Sequence, residues 1–568
     1  MKTISLFFFI CICFSQISFT QFDGNTSPTY PELIAYYQNK AQEHKEIELY
    51  AMGTSDYGLP IYVCFVNGAQ DSIQTFKKAK EKTTVLINNA IHPGEPDGVN
   101  ACVLWLEEWI RGGKRCENLP IVAIIPAYNV GGMMNRSSHS RANQDGPEEY
   151  GFRGSAQNLD LNRDFIKMDS KNMFAFASIY QAVNPDVFID THVSNGADYQ
   201  YILTLITSMK ERSAPSISKL TLQSLVPAIE KELLKKKINL FPYVELMEDT
   251  PDKGIMAFND LPRYSMGYAS LFHSISFTTE THMLKPFPQR VQATKDFIIE
   301  ILKWTSENKV QVEKARVEAI QWQRNQKYFK FNYELTGQRD SILFLGFEHS
   351  YKKSEVTGFD RLFYDRIKPY ERLIPRFQTY TTPDSVRIPK FYIVRREAFE
   401  VIERLNANGV EMKVVDNDTV VKGVDLIIGL YKNTTKPYEG HFLHSQVECN
   451  EKENLEIPLK KGDVIISTDQ DRRCFMIAVL EPRAEDSYFS WNYFDSYLQQ
   501  KEHFSAYVFE EKAKEVLESN LTLKKAFEEK KKNDEIFRMD AKAQLNFIYK
   551  NSHYFEQSFN RLPIFKVY

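Results

Sequence analysis

Cysteine is scarce in this 568-residue chain and poorly arranged for cross-linking. Of seven cysteines, Cys11 and Cys13 fall in the first twenty residues. The five that follow, Cys64, Cys102, Cys116, Cys449 and Cys474, are odd in number and widely spaced, which argues against a disulfide framework. No C-x-x-C occurs, so the cysteines give no sign of a metal site. Cys64 and Cys102 sit in apolar runs and read as buried thiols. An excess of charge is also lacking. The 71 basic and 74 acidic residues leave a net charge of −3, so there is no bulk electrostatic case for nucleic acid or an anionic membrane. A serine hydrolase of the G-x-S-x-G kind and an H-E-x-x-H protease are unsupported, because neither motif is present. Beyond residue 20 no apolar run approaches the roughly 20 residues of a membrane-spanning helix. Internal repeats and low-complexity stretches are missing as well.

What is present begins with an atypical N-terminus. Lys2 precedes the apolar residues 4–14, and residues 15–20 form a plausible cleavage region. The pattern fits a secretory signal peptide over residues 1–20, with a secreted or periplasmic protein and no stable membrane insertion after its removal. An uncleaved anchor stays open as an alternative. The remaining length exceeds one hydrophobic core and predicts at least two domains.

Residues 30–42 have helical spacing behind a proline, and residues 47–53 and 59–66 read as two strands around a turn. A third strand covers residues 83–88, a helix residues 100–111 and a buried strand residues 120–126. A polar loop follows over residues 129–158. A helix at 173–182 then leads to a strand at 186–190, a kinked helix at 216–237 and a strand at 268–281. Strands alternating with helices indicate an α/β domain. Helical residues 291–326 lead out of it. Beyond them come mostly β residues 329–385, a strand–helix–strand at 389–416, a strand at 425–429, a β pair at 463–467 and 474–480, and helices from 513 to 550.

One turn draws attention. His92 and Glu95 stand three residues apart between the third strand and the following helix. Imidazole nitrogen and carboxylate oxygen both suit zinc, at about 2.0–2.2 Å. A third ligand must come from elsewhere. His192, at the end of Phe188-Ile189-Asp190-Thr191-His192, is such a residue, because open α/β sheets place their sites outside the carboxyl ends of the strands. Three protein ligands with one open position is the pattern of a catalytic zinc. Glu280, near a strand end with apolar and hydroxyl neighbours, suits a partly desolvated general base. Arg153 in the polar loop could stabilise an oxyanion or grip a carboxylate. Asp97, two residues after Glu95, is an equal candidate for the metal.

The ordered set Gly53-Thr54-Ser55-Asp56-Tyr57-Gly58-Leu59-Pro60-Ile61, His92-Pro93-Gly94-Glu95, Pro126-Ala127-Tyr128-Asn129, Arg153, Asp160-Leu161-Asn162-Arg163, Asp190-Thr191-His192 and Phe277-Thr278-Thr279-Glu280 resembles the zinc metallocarboxypeptidases of the carboxypeptidase A/B and N/E superfamily. The match covers roughly residues 30–300. The resemblance implies a mixed eight-stranded sheet flanked by helices, followed by a smaller α+β domain. It implies one zinc ion per chain, held by His92, Glu95 and His192, with Glu280 as general base and acid. Arg153 would polarise the scissile carbonyl, Asn162 and Arg163 would hold the substrate's terminal carboxylate, and Asp160 would orient His92. The resemblance leaves out Asp97, which then reads as the cap of the helix that follows. The substrate would be the C-terminus of a peptide or protein.

Three departures stand out. The family's Pro-x-x-Asn-Pro-Asp-Gly reads here Pro126-Ala127-Tyr128-Asn129-Val130-Gly131-Gly132. The family's mobile substrate-binding tyrosine has two candidate counterparts, Tyr264 and Tyr268. The specificity pocket falls within residues 261–268, where Arg263 would suit acidic side chains if it faced the substrate, though a surface arginine is the plainer reading. The later stretch Leu480-Glu481-Pro482 to Trp491-Asn492-Tyr493-Phe494 is similar to the C-terminal extension of some bacterial members.

The expected organisation is a signal peptide at 1–20, a catalytic domain at 21–308, a helical linker at 309–340 and a C-terminal domain at 341–568. Two other functions stay open. One is a related zinc amidase acting on peptidoglycan stem peptides or N-acyl amino acids. The other is an exported, non-enzymatic binding module on the same fold.

Overall fold

A computed structural model describes residues 24–113 and 119–568. The expected signal segment and Cys11, Cys13 and Cys116 lie outside the described residues. The chain forms two compact units. The first runs to Arg387 and includes Arg404–Val410 and Asp469–Ala478. The second comprises Ile388–Glu403, Glu411–Thr468 and Val479–Tyr568. No helix among the described residues is long and apolar enough to cross a membrane.

The first unit is built on strands β1 (Ile47–Thr54), β2 (Pro60–Val66), β3 (Thr84–Asn88), β4 (Ile121–Ile125), β5 (Val187–Ser194), β6 (Leu203–Thr207), β7 (Leu240–Pro242) and, after the short β8 (Glu245–Leu246) and β9 (Ile255–Met256), β10 (Ile275–His282). Eight of these form one mixed sheet in the order β1-β2-β4-β3-β5-β10-β6-β7. Strands β4, β3, β5 and β10 run parallel. β2 joins β4 and β6 joins β10 in antiparallel fashion. Every residue of β3, β4 and β5 is buried, which explains their unbroken apolar sequences: helices cover both faces, so no alternation is needed. The Pro-led helix Tyr30–Glu43 opens on a capping box in which Thr29 N–H donates to Glu32 Oε2 at 2.8 Å. Helix Asp97–Arg111 buries Val99, Cys102, Val103 and Leu106, a helical stripe that packs with helix Phe287–Glu307.

Several elements differ from expectation. Asp97 does not cap its helix. It is buried and accepts from Arg290 Nε at 2.9 Å and from the Thr281 hydroxyl. The segment 268–281 is a helix, Ser265–Ser270, followed by β10, because both elements are buried all round and present no period to tell them apart. The helix over 216–237 widens into a π turn at Thr221–Leu225, just ahead of Pro227, whose missing N–H breaks the regular ladder. Residues Arg473–Leu480 are helix, not strand.

The domain boundary also moves. A long hairpin, Asp340–Lys353 and Asp360–Phe377, pairs with β9 through Arg376 and Phe377. It packs Phe344 and Ile374 against Tyr199, Tyr201 and Phe241. It therefore belongs to the first unit, not to a domain starting at 341. Helix Lys309–Asn325 belongs there too, buried through Val312, Ala315 and Ala319 and tied by Arg316 to Asp186 at 2.9 Å. The second unit holds a six-stranded sheet with Arg561–Val567 between Phe391–Val394 and Thr419–Ile428, together with a helical cluster around Phe509, Phe527 and Tyr549.

Two predictions follow from the packing. A Cβ on Gly98 would lie 2.0 Å from Thr191 Oγ1 and 2.5 Å from Asn89 Oδ1. Gly98→Ala is therefore expected to lower stability by about 1–3 kcal/mol, read from urea unfolding. His282 is fully buried, with Nε2–H donating to Ala197 O at 2.8 Å while Nδ1 accepts from Leu284 N–H at 3.2 Å. This pairing needs the neutral ring, and burial pushes its pKa down from 6.5 to about 4. Between those values the unfolded chain binds a proton that the folded chain does not. Stability should therefore fall as pH drops through that window, by at most about 1.4 kcal/mol per pH unit from this residue. His282→Gln should flatten the slope in urea titrations by that amount, and an unchanged slope would contradict this account.

Candidate metal centre and substrate cleft

The candidate residues in the first unit converge where β3, β5 and β10 end. His92 and Glu95 sit on the turn after β3, closed by Glu95 N–H donating to His92 O at 2.8 Å. Gly94 between them is required by close approach: a Cβ there would meet Arg141 Cδ at 2.7 Å and Gly151 O at 3.1 Å. His192 stands on β5, and Glu280 is its register neighbour on β10. β10 lies between β5 and β6, so Glu280 is on an internal strand.

His92, Glu95 and His192 are all buried, and their ligating atoms lie within 4.8 Å of one another. Each imidazole is held from behind by a carboxylate. His92 Nε2–H donates to Asp160 Oδ1 at 2.9 Å, and His192 Nε2–H donates to Asp190 Oδ2 at 2.8 Å. Both Nδ1 atoms face Glu95, at 3.3 Å from His92 and 3.0 Å from His192, so a metal ion held there would meet Nδ1 while Nε2–H stays on the backing carboxylate. Arg153 Nη1 lies 3.3 Å from His92 Nδ1. Two imidazole nitrogens and a carboxylate oxygen are a donor set suited to zinc, and the backing carboxylates match what a metal-bound histidine requires.

The carboxylates differ in character. Burial alone would raise Glu95, but Arg141, His92 and His192 outweigh it and hold the group well below its ordinary value. Asp160 is likewise held well below the usual carboxylate range, with His92, Arg153 and Arg163 overcoming its burial. Glu280 goes the other way. Burial pushes it up to about 8, and the charge of Glu95 adds to the rise against the pull of His192, Arg141 and Arg153. A buried carboxyl raised in this way beside an anionic one holds a proton more readily than a solvated glutamate.

The polar loop supplies the rest. Asn129 is its anchor, its amide donating to Ile91 O at 3.1 Å and to Arg153 O at 3.0 Å. Arg153 grips Asp160 Oδ2 with Nε at 3.0 Å and Nη2 at 2.8 Å. Asn162 N–H donates to Asp160 Oδ1 at 2.9 Å, and its side-chain carbonyl accepts from Ser265 N–H at 3.0 Å. Arg163 lies over the Tyr264 ring at 4.6 Å. His92, Glu95, Arg153, Asn162, Arg163, His192 and Glu280 all border one cleft of about 180 Å³, which Tyr243, Tyr264 and Phe258 also line.

Of the two tyrosine candidates, Tyr264 lines this cleft. Tyr268 is fully buried and donates its hydroxyl to Asn408 at 2.6 Å. Arg263 is buried rather than at the surface and is not among the residues bordering the cleft. Three residues carry more of the site than their sequence suggested. Asp190 backs His192, and its position two residues earlier on the same strand, hence on the same face, could have signalled it. Arg141 donates to Glu95 Oε1 at 2.7 Å from within the polar loop, where only the fold reveals it. Tyr243 reaches the cleft from a segment with no motif.

The sequence model of the zinc carboxypeptidase family matches residues 33–190 of this chain. That span includes His92, Glu95, Arg153, Asp160, Asn162 and Arg163. It ends two residues before His192. No curated protein matches the chain. Among solved structures, a metallo-carboxypeptidase from Burkholderia cenocepacia is 17% identical at a TM-score of 0.36, with 50% of this chain and 68% of that one covered. A metallo-carboxypeptidase from Pseudomonas aeruginosa, in complex with (2-guanidinoethylmercapto)succinic acid, is 14% identical at a TM-score of 0.35, with 49% and 68% covered. Bovine thrombin-activatable fibrinolysis inhibitor is 15% identical at a TM-score of 0.37, with 51% and 99% covered.

If the two aspartates set the imidazoles, Asp160→Asn and Asp190→Asn should each weaken zinc binding by about 10- to 100-fold. Competition against a fluorescent chelator reads this directly. Unchanged affinity in both variants would refute the assignment.

Proposed function

We propose, from the match of residues 33–190 to the zinc carboxypeptidase family, that this chain releases single residues from peptide C-termini, with His92, Glu95 and His192 holding one zinc ion. The observation that supports the reading best is the single cleft bordered by the three candidate ligands, the raised carboxyl of Glu280, the Arg153 guanidinium and the Asn162–Arg163 pair.

Asn162 and Arg163 bind the terminal carboxylate, Arg163 by charge-assisted hydrogen bonds and Asn162 through its amide. That choice selects a chain end and sets the last peptide bond beside Glu280. Zinc in this site supplies Lewis acidity and makes water a nucleophile at neutral pH. Glu280 accepts the proton of the attacking water and returns it to the leaving amine. Arg153 donates to the carbonyl oxygen as negative charge develops on it. Its grip on Asp160 fixes the guanidinium in advance, so little reorganisation is needed. Tyr264, already against Arg163, closes the carboxylate end of the cleft.

The test is release profiling on a peptide library and on muropeptides, with the purified full chain, before and after chelation. Single C-terminal residues should appear, disappear with chelator and return with added zinc. Glu280→Gln should lower turnover by about 10²–10⁴-fold while leaving zinc bound. Release from muropeptides alone would favour the amidase reading. Internal cleavage only, or turnover insensitive to Glu280→Gln, would overturn the proposal.

A further inference from the structure

Beyond the cleft lies a second hollow. It shares Glu95, Arg153 and Val193 with the cleft but is bordered by none of Asn162, Arg163 and Tyr264. It therefore sits on the side of the metal ligands away from the carboxylate-binding pair. A peptide held by its terminal carboxylate, with its last carbonyl near Arg153, must run its preceding residues in this direction. The hollow is polar and cationic. Arg141 and Arg153 line it together with Ser140, Asn143 and Asn195, and Glu95 is the only carboxylate among its lining residues.

Arg141 is set rigidly in the wall. Nε donates to Gln144 Oε1 at 2.7 Å, Nη1 to Glu95 Oε1 at 2.7 Å and Nη2 to Val193 O at 3.0 Å. Gln144 is itself tied to Gly94 O at 2.9 Å. The missing side chain of Gly94 is what lets the Arg141 stem approach the ligand turn. Three of the five guanidinium N–H groups are thus engaged, leaving one on each Nη. Asp160 balances Arg153, whereas Glu95 is the carboxylate that pairs with Arg141, and a bound metal would draw on that same carboxylate. A second, incoming carboxylate fits this arrangement, because a preset guanidinium fork matches it in shape and charge.

We propose that this hollow is a subsite for an acidic side chain on the residue preceding the scissile bond, with Arg141 as the specificity-determining group. The proposal rests on the carboxypeptidase reading for the direction of the substrate. It narrows the substrate class to peptides whose penultimate residue is Glu or Asp.

The experiment uses the zinc-loaded full chain carrying Glu280→Gln, so that binding is read without turnover. Paired peptide series, Ala-Ala-Glu-X and Ala-Ala-Gln-X with X varied over all residues, are compared by calorimetry. The Glu series should bind about tenfold or more tighter at a given X. Adding Arg141→Gln should bring the ratio close to one. Because Arg141 also touches Glu95, a second variant guards against loss of metal. Asn143→Asp, on an exposed lining residue, puts a competing carboxylate in the hollow, leaves the Arg141–Glu95 pair intact and should also cut the ratio. Equal binding of the two series, or a ratio that survives both variants, overturns the subsite. Single-residue release by the wild type with equal binding would leave the carboxypeptidase reading standing without the subsite. A Glu preference in a protein that releases no residue would support the subsite and remove the carboxypeptidase reading.

Discussion

The carboxylate of Asp160 is the junction on which the site depends. One oxygen accepts from His92 Nε2–H and from the backbone N–H of Asn162; the other takes both Nε and Nη2 of Arg153. A candidate metal ligand, the group proposed to meet the carbonyl oxygen and the residue proposed to meet the terminal carboxylate are thus fixed to a single rigid anion. Burial works against a charge at this place, and the surrounding cations outweigh that penalty. Such a shared acceptor preorganises several groups at once, because none can move without breaking a charge-assisted bond to the same carboxylate.

Around this junction the backbone is drawn tight by groups with no part in the chemistry. Asn129 links the turn of His92 to the loop of Arg153, and Gly98 lets the following helix press against Thr191, next to His192. Arg290 joins Asp97 to the carbonyls of Asp145 and Gly146, so the long polar loop is pinned to the helix that the metal turn begins. Buried ion pairs of this kind are weak evidence for stability, yet here they fix where a loop of some thirty residues must lie. The charges are distributed in opposition. Glu95 and Asp160 are stabilised as anions, whereas Glu280, on the same cleft as Glu95, is pushed toward the protonated form. Carboxyls with different tasks are separated by environment, not by residue type.

Much of the fold was legible. The apolar runs of β3, β4 and β5, and the helical stripe of Asp97–Arg111, carry strong local patterns. The eight-stranded sheet, by contrast, came from the family resemblance. Where every face is buried, as at Ser265–Ser270 ahead of β10, periodicity vanishes and helix and strand read alike. β6 carries no motif, and the hairpin Asp340–Phe377 gave no sign that its end pairs with β9. Pairing between residues more than a hundred positions apart leaves no local trace, so the first unit extends well past the expected boundary.

The sequence by itself determined which chemical groups are available: a histidine and a glutamate on one turn, a histidine and a second glutamate at strand ends, and arginines in a polar loop. Spacing along the chain and motif order sufficed for that, because strand ends of a parallel sheet converge by construction. Only the tertiary structure decided that Asp190 backs His192, that Arg141 reaches Glu95, that Tyr264 rather than Tyr268 borders the cleft, and that Asp97 pairs with Arg290 instead of capping its helix. All four depend on which direction a side chain faces and which distant segment meets it. Those follow from packing, which local pattern does not encode.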